Sequence, residues 1–443
     1  MSAAVTSARR SALRVLSACR QNGAWADAAL AAELKRESLS AADAALASRI
    51  VYGVLQNRLL LDHYLSVYCT QRLDHLQQPL PDILRIGAYQ ILFLDKVPDS
   101  AAVSESVELS KAARRGAAAG LVNAVLRKLA QNKDHLPRLP EDPVERLSVE
   151  TSHPKWLTER MVSLLGSEDA ARFLRGNNAV APITVQINPL KTTADALARE
   201  LSGVGIAARP HLWVPDCLEL TGVGDLTTLP AFYRGEFIVQ DAAARLTSLV
   251  AGIAPDARVL DVCAAPGGKS FSAAFAMGDR GRIVACDLHE NKLKRIRDGA
   301  ARLGLASIEA ETADGRAFRP EWADAFDVVL CDVPCSGLGI IRKKPDIRYK
   351  DPDGFAALPE IQRAILANAS RYARPGGVLV YSTCTVLPEE NEAVTDAFLS
   401  ENADFSYEPF DLPIGTAAGH ITLWPQRHGT DGFYIAKLRK KNA

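Results

Sequence analysis

Two cysteine-bearing motifs in this chain could do covalent chemistry. One is Asp332-Val333-Pro334-Cys335 and the other is Ser382-Thr383-Cys384-Thr385. A thiolate is a strong nucleophile, but free cysteine has a pKa of about 8.5, so the site must favour the anion at neutral pH. A helix predicted to begin near Pro388 would do so for Cys384 through the positive end of its dipole. A single loop cysteine is more often buried than catalytic, whereas two that follow neighbouring strands favour catalysis.

One reaction that needs such groups is alkylation of a pyrimidine at C5. The ring becomes nucleophilic at C5 only after a thiolate has added at C6. Afterwards the C5 proton must leave and the thiol must be eliminated. Such a site therefore needs a nucleophile, a proton partner at N3 and a group that helps to resolve the adduct. Asp332 precedes Cys335 by three residues and could serve N3.

A glycine-containing turn upstream predicts a cofactor site. The apolar run Val259-Leu260-Asp261-Val262 leads into Cys263-Ala264-Ala265-Pro266-Gly267-Gly268-Lys269-Ser270. Glycines let backbone N–H groups approach a ligand closely, and a helix N-terminus follows. Asp287 ends the next predicted strand, where an acid can accept both hydroxyls of a ribose. Asp314 could face an adenine amino group, and Asp332 ends a further strand.

A P-loop ATPase is the competing interpretation of this turn. Gly268-Lys269-Ser270 matches the end of the motif GxxxxGK[ST], and the run from Val328 to Asp332 resembles a Walker B strand. Position 263 carries cysteine where that motif requires its first glycine, and a full GxGxxG is absent. Several carboxylates near the turn would repel phosphates, so S-adenosylmethionine, an adenosine without a triphosphate, fits better.

These motifs require elements that bring them to one edge of a sheet. From about residue 236, apolar runs alternate with helical patterns, which predicts a parallel sheet with ligands at the carboxyl ends of its strands. The predicted strands are Arg258–Val262, Arg282–Asp287, Ile308–Thr312, Phe326–Asp332, Val378–Ser382 and Phe433–Leu438, and the predicted helices include Glu290–Leu303 and Pro359–Ala373.

The chain up to about residue 135 predicts an all-helical module. Ile50, Val51, Val54 and Leu55 share one helical face, which is typical of a bundle core. A basic cluster around Asn123 is either a solvated face or a surface that contacts RNA phosphates. Its members are Lys111, Arg114, Arg115, Arg127 and Lys128.

A proline-rich linker and a small mixed segment follow the helical module. Pro137, Pro140 and Pro143 mark the linker. Ile183–Ile187 alternates like a strand, Ala194–Leu201 predicts a helix, and Leu212–Leu220 predicts another extended stretch. This order resembles part of a βαβ unit.

Bulk composition narrows the class of protein. A length of 443 residues, 48% hydrophobic and 23% charged, predicts two or three ordinary globular domains. The net charge is +0, but the chain up to residue 135 holds 17 Lys/Arg against 12 Asp/Glu, so the helical module is basic. No apolar run approaches the roughly 20 residues that span a bilayer. The eight cysteines form no CxxC pair, so we expect no metal site and free thiols in the cytoplasm.

Two basic segments have alternative interpretations. The first 26 residues carry four arginines and no acid, which fits a mitochondrial presequence, although helical spacing favours a basic first helix. The segment Arg342–Lys350 adjoins the Cys335 motif and holds five basic residues and a tyrosine. Phosphate contact with base stacking would suit a single-stranded or flipped target, and a solvated loop is the alternative.

The two thiol motifs and the turn closely resemble the RNA cytosine-5 methyltransferase family. In that family the TC thiol is the nucleophile and the PC thiol assists product release, which implies these roles for Cys384 and Cys335. DNA cytosine-5 methyltransferases use the PC thiol instead, so the presence of both motifs indicates RNA. The resemblance also implies a catalytic role for Asp332 and binding of S-adenosylmethionine by Cys263, Ala264, Ala265, Pro266, Gly267, Gly268, Lys269, Asp287, Asp314 and Asp332.

The front of the chain resembles the NusB helical fold. The matching segments are Leu84-Arg85-Ile86-Gly87-Ala88-Tyr89-Gln90-Ile91-Leu92 and Val122-Asn123-Ala124-Val125-Leu126-Arg127. The combination is similar to bacterial 16S ribosomal RNA methyltransferases. It implies a multidomain protein with an all-α NusB-like RNA-binding domain at 1–140, a linker and small α+β RNA-binding subdomain at 141–235, and an α/β Rossmann-like class I methyltransferase domain at 236–443.

The resemblance implies methylation of one cytosine at C5 in 16S rRNA. Naked or partly assembled small-subunit RNA would be the partner, and we expect a cytoplasmic monomer with no membrane contact. A tRNA substrate, a P-loop-like ATPase and an inactive RNA-binding module stay open as alternatives.

Overall fold

The computed structural model describes residues 7–442, which fall into two compact units. The first comprises the chain up to Ala179 together with Ile341–Lys350, and the second comprises Val180–Ile340 and the chain from Asp351 onward. Each unit buries an apolar core of its own. Within the described part of the chain, no helix is long and apolar enough to cross a bilayer.

The first unit is helical, which the sequence predicted only for the chain up to about residue 135, and its helices continue to Gly176. It also contains a short 3-10 helix, Pro345–Tyr349, that comes from much later in the chain. Its α-helices are α1 (Ser7–Asn22), α2 (Ala26–Glu37), α3 (Ala41–Tyr68), α4 (Leu80–Phe93), α5 (Asp99–Ala112), α6 (Ala119–Gln131), α7 (Pro143–Thr151), α8 (Lys155–Leu165) and α9 (Ser167–Gly176).

The core of this unit confirms the helical periodicity. Ile50, Val51, Val54 and Leu55 on α3 are all buried. Gly53 on the same helix has no side chain, and a Cβ there would lie 1.9 Å from the ring of Tyr89. Helices α3 and α4 can therefore pack closely at this point, which favours glycine over any larger residue.

The second unit begins with a four-stranded antiparallel sheet in the order β2-β3-β1-β4. The predicted strand at Ile183–Ile187 and the helix from Ala194 are confirmed. The stretch predicted at Leu212–Leu220 forms a strand only from Cys217 onward. The elements of this part are β1 (Ile183–Ile187), α10 (Ala194–Gly203), β2 (Ala207–Pro210), β3 (Cys217–Thr221), α11 (Pro230–Tyr233), β4 (Phe237–Val239) and α12 (Ala242–Ala251).

A larger sheet follows, in the order β10-β14-β9-β8-β5-β6-β7, with β13 also paired to β14. Strands β5 to β9 pair in parallel and β14 pairs antiparallel to β9, which confirms the predicted α/β class. The elements are β5 (Arg258–Asp261), α13 (Gly268–Ala276), β6 (Arg282–Asp287), α14 (Glu290–Leu303), β7 (Ile308–Thr312), β8 (Phe326–Asp332), α15 (Leu358–Ser370), β9 (Ala373–Thr383), α16 (Glu392–Glu401), β10 (Phe405–Tyr407), β11 (Phe410–Leu412), β12 (Gly415–Ala417), β13 (His420–Leu423), α17 (Pro425–His428) and β14 (Phe433–Lys440).

The boundary between α15 and β9 differs from the prediction. The helix was expected to reach Ala373, but it ends at Ser370 and Ala373 already belongs to the strand, where it pairs with Phe326. The pairing then shifts register, and Val378 opposes Val328. Between these two pairs β9 contains more residues than β8, which is the pattern of a β-bulge, and Gly376, at φ +72°, is one of the additional residues.

Candidate active site

The carboxyl ends of four adjacent parallel strands hold the predicted site. Strands β5, β6 and β8 end at Asp261, Asp287 and Asp332, and β9 ends at Thr383, directly before Cys384. Since parallel strands end at one edge of the sheet, the glycine turn and both cysteine motifs begin there. This arrangement agrees with the sheet edge predicted from the sequence.

The turn after β5 is shaped for close backbone approach. Gly267 has φ +113°, which L side chains rarely adopt, and a Cβ there would lie 2.5 Å from Cζ of Phe271. The N–H of Ala264 donates to the carbonyl of Cys286 at 2.6 Å, so the turn is fastened to the neighbouring strand. Helix α13 begins at Gly268, and its first turn presents N–H groups suited to an anion.

Asp261 lies beneath this turn and was given no role by the sequence. Its carboxylate is fully buried, and Oδ2 accepts a hydrogen bond from Oγ of Ser270 at 2.6 Å. Oδ1 is buried and has no partner among residues 7–442. Burial raises the pKa of Asp261 to about 7.

The two acids predicted to bind the nucleoside differ in their surroundings. Asp287 is buried, and its Oδ1 accepts the N–H of His289 at 3.0 Å and lies 3.4 Å from Nζ of Lys292. Asp314 is half-buried and paired to Arg316, whose Nη2 lies 2.8 Å from Oδ2. The hydrogen bond from that guanidinium lowers the pKa of Asp314. Both acids therefore already accept N–H donors, and their roles towards a cofactor stay predictions.

Asp332 connects the glycine turn to both thiol motifs. Its Oδ2 lies 2.7 Å from Nζ of Lys269, and its Oδ1 accepts a hydrogen bond from Oγ of Ser382 at 2.7 Å. Nζ of Lys269 also lies 5.1 Å from the ring centroid of Phe433. Asp332, the residue predicted to serve N3, is thus paired with the ammonium group of Lys269.

The two thiols lie side by side. The Sγ atoms of Cys335 and Cys384 are 3.3 Å apart, and both residues are half-buried. The hydrogen bond to Cys384, with burial, holds the pKa of Cys335 well above its usual range. The raised pKa favours the protonated thiol of Cys335, which can then donate a hydrogen bond to the sulfur of Cys384.

Hydrogen bonds fasten the two thiol loops to each other. Oγ of Ser336 lies 2.7 Å from Oγ1 of Thr385. The N–H of Gly339 donates to the carbonyl of Cys384 at 3.0 Å, and the N–H of Gly432 donates to the carbonyl of Gly339 at 2.9 Å. Three loops therefore meet at Gly339 and set the position of the Cys384 backbone.

The segment after Cys384 differs from the prediction. Pro388–Glu390 is a short 3-10 helix, and α16 begins at Glu392, so the α-helix predicted near Pro388 starts four residues later. Asn391 between them accepts from Oγ1 of Thr383 at 2.6 Å and donates to the carbonyl of Thr385 at 3.3 Å. Side-chain hydrogen bonds from Asn391, which the sequence did not single out, hold the TC motif on both sides.

The basic segment Arg342–Lys350 was predicted to contact RNA, and this is wrong for its central residues. Arg348 is fully buried within the first unit, where Nη1 donates to Oδ1 of Asn178 at 2.8 Å. The hydroxyl of Tyr349 donates to the carbonyl of Leu55 at 2.8 Å. The sequence of a loop does not show which carbonyl groups will surround it in the fold. Here such groups accept hydrogen bonds from Arg348 and Tyr349.

The basic cluster on α5 and α6 is partly engaged. Lys111 lies 2.7 Å from Glu108, and Arg115 donates to the carbonyl of Gln78 at 2.9 Å. Arg114, Arg127 and Lys128 are exposed. A contact between this surface and RNA stays a prediction.

Comparisons with known proteins agree with this architecture. Three family models match: "16S rRNA methyltransferase RsmB/F" over residues 250–439, "NusB family" over residues 6–131, and "Methyltr_RsmF/B-like, ferredoxin-like domain" over residues 153–227. The probable ribosomal RNA small subunit methyltransferase B of Bacillus subtilis is 36% identical over 98% of this chain and 99% of that protein. The ribosomal RNA small subunit methyltransferase B of Sodalis glossinidius is 34% identical over 91% of each chain. The crystal structure of PH0851 matches with a TM-score of 0.82 at 27% identity, over 99% of this chain and 100% of that chain.

Proposed function

The chain belongs to the ribosomal RNA small subunit methyltransferase B family, and on that premise we propose that it methylates C5 of a cytosine in 16S ribosomal RNA with Cys384 as its nucleophile. One observation carries the proposal: the Sγ atoms of Cys335 and Cys384 lie 3.3 Å apart, at the same edge of the sheet as the glycine turn. A thiol kept protonated beside a second thiol suits a reaction in which one sulfur attacks and the other assists its release.

The residues around the turn fit S-adenosylmethionine, the cofactor of this family. When bound, S-adenosylmethionine supplies the methyl group. The turn Cys263–Lys269 and the first N–H groups of α13 suit its carboxylate, and Asp287 suits the ribose hydroxyls. The unpartnered buried oxygen of Asp261 offers a further acceptor beneath the turn.

The addition step belongs to Cys384. Its thiolate forms a bond to C6 of the cytosine, and the electrons of the C5–C6 double bond move to C5 and towards N3. Asp332, whose Oδ2 lies 2.7 Å from Nζ of Lys269, would pass a proton from that ammonium group to N3. After C5 has gained the methyl group, a base accepts the C5 proton and the S–C6 bond breaks, with the electron pair leaving on sulfur.

Cys335 is placed to assist that release. Its hydrogen bond to the sulfur of Cys384 would stabilise the departing thiolate and hold it away from the product. Because the pKa of Cys335 is raised, the thiol is present as a donor at neutral pH. Its removal should therefore affect release more than attack.

Two cysteine substitutions test this assignment. Methyl transfer from labelled S-adenosylmethionine to 16S rRNA, with the modified base mapped, is the assay. Cys384→Ala should lower the rate by orders of magnitude while the affinity for S-adenosylmethionine stays nearly unchanged, because a covalent nucleophile is lost and the cofactor turn is intact. Cys69→Ala, in the first unit, is the matched control and should keep the wild-type rate. A Cys384→Ala variant that keeps more than about a tenth of that rate contradicts the assignment.

The second substitution, Cys335→Ala, should accumulate a covalent protein–RNA adduct. A denaturing gel would show a shifted band that disappears in the Cys335→Ala/Cys384→Ala double variant. A band that survives in the double variant would identify another nucleophile. Mapping the base on 16S rRNA and on tRNA in parallel decides between the two substrates.

A further inference from the structure

A buried carboxylate lies behind the loop that carries Cys335. Glu390, at the end of the 3-10 helix Pro388–Glu390, is 1% exposed. Its Oε2 accepts the N–H of Ser336 at 2.9 Å, and Ser336 directly follows Cys335 in the chain. Oε1 is buried without a partner in the described part of the chain. A charged group so placed is costly to bury, which indicates a role beyond packing.

A second side chain extends this contact to the other side of Cys335. Nε2 of Gln362, on α15, donates to Oε2 of Glu390 at 2.9 Å and to the carbonyl of Pro334 at 3.0 Å. Gln362 is fully buried. The residues before and after Cys335 are therefore both held by the same pair of side chains.

The carboxylate of Glu390 affects the ionisation of Cys335. Negative charge disfavours ionisation of a neighbouring thiol, and Glu390 raises the pKa of Cys335, after the larger effects of the Cys384 hydrogen bond and of burial. Tyr381 on β9 also interacts with Cys335, and its hydroxyl donates to the carbonyl of Glu390 at 2.6 Å.

We propose that Glu390 is a positioning residue for Cys335: it fastens the loop that carries this thiol, and its carboxylate, bonded to the next residue in the chain, disfavours a second negative charge on Cys335. This inference rests on the proposed function, since it concerns which thiol attacks. It explains how two cysteines 3.3 Å apart avoid competing for the same carbon. Glu390 itself touches neither the RNA nor the cofactor in this scheme.

Glu390→Gln separates the charge from the hydrogen bonds. Both donors that Glu390 accepts, from Ser336 and from Gln362, meet the same oxygen. A glutamine can keep that oxygen in place and put its NH₂ group at the position of the unpartnered Oε1. The variant should therefore fold normally and lose only the negative charge.

The test measures alkylation of each cysteine by iodoacetamide as a function of pH, read by peptide mass spectrometry on the full chain. A Cys384→Ser background removes the second thiol, so the pH midpoint for Cys335 is read alone. Adding Glu390→Gln should lower that midpoint by about one pH unit, the scale of one nearby charge. An unchanged or higher midpoint would overturn the proposal.

Gln362→Leu is the control for loop position. It removes the hydrogen bonds to Pro334 and Glu390 but keeps the carboxylate, so the Cys335 midpoint should not fall. If Gln362→Leu lowers the midpoint as much as Glu390→Gln, loop position and not charge is responsible, and the proposal is wrong.

The unsubstituted protein gives a further check that no folding defect can obscure. At pH 7 Cys384 should be alkylated at least about tenfold faster than Cys335, because the thiolate is the reactive form. The opposite order would reject the role of Glu390. Neither RNA nor S-adenosylmethionine enters these measurements, so they separate a failure of this inference from a failure of the proposed methyl transfer.

Discussion

Replacing Gly339 with alanine should damage the active site without touching any reacting group. A Cβ at this position would lie 2.0 Å from the carbonyl oxygen of Gly432 and 2.8 Å from that of Cys384. These are backbone atoms, so the clash cannot be relieved by turning a side chain. The loops must separate, and the two hydrogen bonds through Gly339 must lengthen or break.

The magnitude follows from these contacts. Each backbone hydrogen bond contributes about 1 kcal/mol, and overpacking adds about 1–3 kcal/mol. We therefore expect a loss of about 3–5 kcal/mol in the free energy of unfolding of the second unit. Cys384 would move with its carbonyl, and a misplacement of about 1 Å can cost about 10²-fold in rate. Affinity for S-adenosylmethionine should stay close to wild type, since the turn Cys263–Lys269 is not contacted.

Chemical denaturation, calorimetric titration with S-adenosylmethionine and single-turnover methyl transfer are the measurements. Gly354→Ala is the matched control, because no atom lies within 4 Å of a Cβ built there, and it should change stability by less than about 0.5 kcal/mol. A Gly339→Ala protein with wild-type stability and rate would refute the argument that this contact positions Cys384.

Three further outcomes are expected. Asp287→Ala should weaken binding of S-adenosylmethionine by about 1.5–3 kcal/mol in calorimetry, the scale of hydrogen bonds to a charged group, and unchanged affinity would contradict the ribose role. Asp261→Asn should raise the unfolding temperature more at pH 8 than at pH 5. The pKa of Asp261 in the folded protein is about 7, above the ordinary value for an aspartate, so the wild-type protein loses stability as the pH rises from about 4 to 7. The asparagine variant carries no carboxylate and escapes that loss. Arg348→Ala should destabilise the first unit by about 3 kcal/mol in thermal unfolding while the salt dependence of RNA binding stays unchanged, whereas a reduced salt slope would restore the phosphate-contact interpretation.

The elements of the catalytic sheet could be predicted from sequence because their signals are local. Strands β6, β7 and β8 and helix α14 begin and end where they were predicted, since each is an apolar or periodic run bounded by polar or glycine residues. The start of β9 could not be predicted in this way. Ala373 becomes part of the strand only because Phe326 lies opposite, which is a tertiary contact.

The candidate site shows the same division. The sequence identified both thiols and the carboxylates at strand ends, because residue type and spacing carry the chemistry. It missed Glu390 and Gln362, which lie 55 and 27 residues from Cys335 in the chain and hydrogen-bond to its neighbours Ser336 and Pro334. It also assigned Arg348 to RNA, since a basic loop gives no indication of the carbonyl groups it will meet. A polar residue next to a functional motif, such as Glu390 or Asn391 after the TC motif, was the available signal.

The late segment Ile341–Lys350 has a consequence for how the protein is made. The first unit contains this segment, yet Lys350 is translated 171 residues after Ala179. At about 5–20 residues per second, the ribosome needs roughly 10–30 seconds to supply it. During that interval the groups that later accept from Arg348, including the carbonyl of Thr151, lack that donor. The nascent helical unit is then incomplete, so we expect it to be more accessible to proteases or chaperones until the segment Ile341–Lys350 has emerged.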